Sequence, residues 1–121
     1  MADVRERLID AWTDEVQAAI VYELIARREA DPRRAGVLRQ LAAVEANHRI
    51  RLEQRMGELG IEIPDERSVR LSAWRRLQAR IAPVERLIAR QEAMEQDIAT
   101  EIDERPTGDA DTDRLLEEIR D

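Results

Sequence analysis

Apolar residues recur along this chain at spacings of three and four, which predicts amphipathic helices from one end to the other. The first opens at Asp3, a capping residue with Glu6 three positions on, and runs to about Glu29. Its inward stripe reads Val4, Leu8, Trp12, Glu15, Ala18, Ala19, Tyr22 and Ile25. Asp31 and Pro32 then supply an N-cap and a first-turn proline, so the turn is short and the second helix returns antiparallel. On that helix Leu38, Leu41, Ala42, Leu52, Met56 and Leu59 share one face, with Glu45 and His48 in the middle of it. Gly57, Gly60 and Pro64 end the helix and open a linker over 60–67.

Beyond the linker, Ser68 is a cap for a segment in which Val69, Trp74, Leu77 and Ile81 keep helical spacing. Pro83 lacks an N–H and must break or kink that helix. The pattern resumes at Val84 and continues through Leu87, Ile88, Glu92, Glu95, Ile98, Ala99 and Ile102. A loop over 105–111 contains Pro106 and Gly108, and a last helix starts near Thr112 with Leu115, Leu116 and Ile119 before the sequence stops at Asp121. The expected fold is all-α: one antiparallel four-helix bundle over 1–121, with a kinked third helix and a truncated last one. The halves 3–60 and 68–121 share a layout of helix, turn and helix, and the second is the incomplete one.

Composition sharpens this reading. With no Phe, 2% aromatic residues and 39% charged ones, the core must be built from Leu, Ile, Val and Ala. The 20 basic residues, all Arg, against 27 acidic ones give a formal charge of −7, which argues against nucleic acid as a partner. No Cys is present, so thiolate metal sites and disulfides are excluded. No signal peptide or membrane-spanning run is visible, and the chain reads as soluble and cytoplasmic. Trp12 and Trp74 are expected as core anchors.

Against that background the carboxylates inside the stripes stand out. A charged group moved into a bundle interior costs roughly several kcal/mol unless it is paired, protonated or bound to a cation. Glu45 and His48, three apart on one helical face, can reach one metal ion, and the short turn lets Glu15 face them. Oxygen and imidazole donors suit iron, manganese or zinc. The bland counterpart is a hydrogen-bonded pair at a helix interface. On the third helix either Glu92 or Glu95 falls within the stripe, and periodicity does not separate them.

These residues carry a resemblance. Glu15 with Gln17, Ala18 and Tyr22, followed by Glu45-Ala46-Asn47-His48, resembles the first half of a rubrerythrin-type, ferritin-like di-iron domain. Such domains take one Glu from each of two helices and a Glu-x-x-His from each of the other two. The resemblance implies Glu15 and His48 as terminal ligands, Glu45 as a bridging ligand, Glu92 (or Glu95) as the counterpart of Glu15, and Tyr22 behind a carboxylate. The segment Ser72-Ala73-Trp74-Arg75-Arg76 is similar to one in the rubrerythrin-like domain ahead of the membrane region in vacuolar-iron-transporter-family proteins. A second Glu-x-x-His is absent: Glu117 is followed by Arg120 and Glu118 by Asp121. A fragment cut before that motif, a site completed by another protomer, or a lost second metal position each accounts for this, and the short last helix favours the first.

What the resemblance implies is a non-haem iron protein with a ferroxidase or iron-delivery role. It would hold one or two ions, assemble as a homodimer, and could be tethered to a membrane by a following transporter region. The alternative class is a non-enzymatic helical sensing or dimerisation module that binds metal weakly or not at all.

Overall fold

A computed structural model describes residues 3–93 and 107–120, and every regular element among them is helical. Helix α1, Val4–Arg28, is capped by Asp3, whose side chain accepts the Arg5 N–H. Helix α2, Pro32–Glu58, is capped in the same way by Asp31, with Pro32 in its first turn. Both caps satisfy amide groups that have no partner inside the helix. The turn between the helices is three residues long, and α2 folds straight back along α1. Trp12, early in α1, donates its indole N–H to Glu53, late in α2, at 3.0 Å.

Two apolar clusters join the pair. Leu8, Ala11, Trp12 and Val16 of α1 meet Leu52 and Met56 of α2 and Leu116 and Ile119 of the last helix. Toward the other end, Ala18, Val21, Tyr22, Ile25 and Ala26 meet Leu38, Leu71 and Leu87. Glu45 and His48 on α2 fall between Leu38 of one cluster and Leu52 of the other, and Glu15 on α1 lies within the first cluster's span, beside Val16.

Gly60, at φ 70°, takes the chain out of α2 in a left-handed conformation that suits a residue without Cβ. Helix α3 is Ala73–Ile81, capped by Ser72 rather than by Ser68, which instead closes a 3-10 turn over Glu66–Ser68. Its end shows what Pro83 does: Ala82 is extended at ψ 153°, and helix α4 restarts at 84 and is followed to 93. The interruption is a break between two helices. Helix α5, Ala110–Arg120, starts two residues before the sequence pattern predicts, because Asp109 accepts the Thr112 hydroxyl and organises the first turn. The expected positions Glu95, Ile98, Ala99, Ile102 and Pro106 lie outside the described residues.

Several apolar residues assigned inward are not. Leu41 and Leu59 on α2 are 37% and 40% exposed, and Trp74, Leu77 and Ile81 on α3 are 63%, 46% and 69% exposed. The reason lies in what covers each helix. Helix α5 lies over the C-terminal half of α2, where Arg55 holds Asp109 at 2.6 Å and Arg51 pairs with Glu118. Nothing among the described residues buries Val37, Leu41 and Val44 further back. Helix α3 packs through its small side instead, with Ala79 buried and its carbonyl accepting from Arg28 Nη1 at 2.6 Å. No helix among the described residues is long and apolar enough to cross a membrane.

Candidate metal centre

Glu15 sits one turn after Ala11 and Trp12 on the buried face of α1, and packing on either side fixes its direction. Glu45 and His48 hold the equivalent place on α2, between Leu38 and Leu52. His48 Nδ1 lies 3.5 Å from Glu15 Oε2 and 3.8 Å from Glu45 Oε2. The three side chains keep 12%, 13% and 20% of their surface for Glu15, Glu45 and His48, so they are enclosed yet reachable from solvent.

These separations are too long for hydrogen bonds. They are somewhat wider than the spacing of donors around one ion, since ligand distances of about 2.1 Å place two donor atoms about 3.0 Å apart at a right angle and about 3.4 Å apart at the tetrahedral angle, so a small inward shift of the side chains would seat an ion. One ligand atom from each of Glu15, Glu45 and His48 lies within 4.8 Å of the others. Among the described residues His48 Nδ1 is buried with no hydrogen-bond partner, which leaves it available to a cation. Two carboxylates and a neutral imidazole also carry the charge that balances a divalent cation. The donor set therefore fits such an ion, and its oxygen and imidazole chemistry fits iron.

The nearest arginine on α2 does not neutralise the pair. Arg49 donates to Glu53 at 3.0 Å and to Glu66 at 2.9 Å, and its guanidinium stands 5.7 Å from the Trp12 ring centroid. The bond from Arg49 holds the Glu66 carboxyl below its usual range, and the Arg49 guanidinium is correspondingly raised, chiefly by Glu66. Arg49 is thus committed beside the centre and not within it. Sequence reasoning passed over Glu53, although a buried indole N–H on the facing helix needs an acceptor.

Residues 6–121 match the family model for rubrerythrin. The chain belongs to the rubrerythrin family. No curated protein and no solved structure matches it. Rubrerythrin-family domains bind iron, and in this one the described carboxylate and imidazole group falls where a helical pair brings its buried faces together. Other candidates stand elsewhere in this rubrerythrin chain. Glu92 is exposed near the end of the described part of α4, and Glu95 lies outside the described residues. Tyr22, two turns after Glu15, is 2% exposed within the second apolar cluster. On α5 the inward positions are Leu116 and Ile119, while Glu117 and Glu118 are exposed and Glu118 turns to Arg51.

Proposed function

We propose that this rubrerythrin-family chain binds iron through Glu15, Glu45 and His48 and serves as a ferroxidase or an iron-delivery protein. The observation that carries the reading is the convergence of those three donors from two helices, with His48 Nδ1 buried and lacking a hydrogen bond among the described residues. Ferrous iron is the substrate or cargo, and the two carboxylates favour the ferric product because hard anionic oxygens prefer the higher charge. His48 completes the set with a neutral donor, which keeps the occupied site from excess negative charge.

A fourth ligand comes in this reading from Glu92 or Glu95. Leu87 and Gln91 are the buried positions of the described part of α4, Glu92 is exposed there, and Glu95 lies outside the described residues. Because α5 presents apolar residues inward, we assign one ion to the chain's own ligands. A second ion would draw on groups beyond the described residues. The transporter-like resemblance extends the reading to a domain that hands iron to a following membrane region.

The test is anaerobic loading with ferrous iron, removal of excess, and elemental analysis of the wild type and of His48→Ala. About one tightly held ion per chain is expected, with loss of retention in the variant. A washed wild type that keeps no iron, manganese or zinc would overturn the reading.

A second reading, a non-enzymatic dimerisation module, draws on the exposed row Val37, Leu41 and Val44 beside His48. In it a second copy covers that row, and His48→Ala changes assembly without changing iron retention. Sedimentation velocity with and without iron separates the two.

A further inference from the structure

Helix α3 is amphipathic, and it is mounted with its apolar side outward. Ala79 and the half-buried Arg75 face the bundle, whereas Trp74, Leu77 and Ile81, at positions that share one helical face, are 63%, 46% and 69% exposed. Large apolar groups gathered on one exposed face mark a contact surface. Arg76 and Arg80, one turn apart and both exposed, border the row, and with Ala73 and Leu77 they line an open groove beside it.

Charge identifies what fits there. Residues 67–90 contain seven Arg and one Glu, a local formal charge of +6 within a chain of −7. Arg70, Arg76, Arg80 and Arg86 have no salt-bridge partner among the described residues, so their charge faces outward uncompensated. A second copy docking α3 on α3 would set two such basic segments against each other. An anionic surface meets both features of the helix at once.

We infer that α3 docks on anionic lipid bilayers. Trp74, Leu77 and Ile81 enter the boundary between headgroups and acyl chains, the zone that Trp favours, while Arg76 and Arg80 hold lipid phosphates through paired N–H donors. Because no described helix can span a bilayer, the contact lies in the plane of the interface. The inference does not rest on the metal centre, since its residues are not among the grouped donors Glu15, Glu45 and His48.

The experiment mixes the full chain with vesicles of phosphatidylcholine, alone or with an equal amount of phosphatidylglycerol. Co-sedimentation and tryptophan emission are the readouts. The chain is expected to pellet only with the anionic vesicles, with a blue shift from Trp74 above the constant background of buried Trp12. Trp74→Phe should abolish the shift and keep the pelleting. Arg76→Gln with Arg80→Gln should weaken partitioning about thirtyfold, at the usual contribution of a basic residue near a charged bilayer. Leu77→Ser with Ile81→Ser should weaken it as well, and both pairs are exposed, so helical circular dichroism should persist. Failure to pellet at low salt, or pelleting undiminished in both the Arg76/Arg80 and the Leu77/Ile81 double variants, would overturn the inference. So would a lipid-free oligomer that the same substitutions turn into monomer, because the face would then belong to a protein neighbour.

Discussion

Position 53 and position 45 both carry a glutamate on the inner side of α2, and their surroundings give them different work. Glu53 accepts from Trp12 Nε1 and from Arg49 Nε, each at 3.0 Å, so its charge is matched and its bonds are filled. Glu45 faces His48 Nδ1 and Glu15. Glu53→Gln keeps an acceptor for the indole and loses the pairing with Arg49, and should therefore cost about 1 kcal/mol in a urea melt. Iron retention should stay at the wild-type level, which elemental analysis checks. The sequence alone marked Glu15, Glu45 and His48 because they interrupt apolar stripes. It gave no comparable mark to Glu53, whose role follows from Trp12 on another helix. Glu92 and Glu95 stayed undivided because two positions three apart fit the same broad stripe.

Among the elements, α5 begins at a charged residue that also ties it to α2. Asp109 accepts the Thr112 hydroxyl and Arg55 Nη2, and these bonds, the Thr112 bond first, hold its carboxyl below the usual carboxylate range. A carboxyl whose native pKa is depressed contributes stability that is complete above its unfolded value and is lost as pH falls through the native one. The melting temperature of the wild type should exceed that of Asp109→Asn by a constant margin above about pH 5. That margin should shrink below about pH 4, as thermal melts over a pH series would record. The beginnings of α1 and α2 were legible from Asp3, Asp31 and Pro32, where cap chemistry is local. The start of α5 was placed two residues late, and what the sequence did not show is the bond that Arg55, on a distant stretch of chain, adds to the local cap of Asp109 on Thr112. Pro83 announced an interruption, and only the backbone at Ala82 decided between a kink and two helices.

At the scale of the whole molecule, periodicity reveals the apolar arc of each helix but not how much of that arc a neighbour covers. Leu38 and Leu52 are buried because α1 and the elements beyond it lie over them, whereas Leu41, Trp74 and Ile81 fit the same pattern and remain exposed. The all-helical fold and the antiparallel pairing of α1 with α2 were therefore readable, and the outward faces of α2 and α3 were not. The arrangement of the interior has a bearing on how the protein opens. The two apolar clusters meet through Ile20, which packs against both, and beside that junction two carboxylates and an imidazole take places that apolar side chains hold elsewhere in the core. The two ends of the bundle should then behave as distinct cooperative units joined by a weak waist. Amide hydrogen exchange of the iron-free chain should be fastest within α1 near Glu15 and within α2 from Glu45 to His48, ahead of both flanking clusters. Added ferrous iron should slow exchange at the waist most, fusing two units into one.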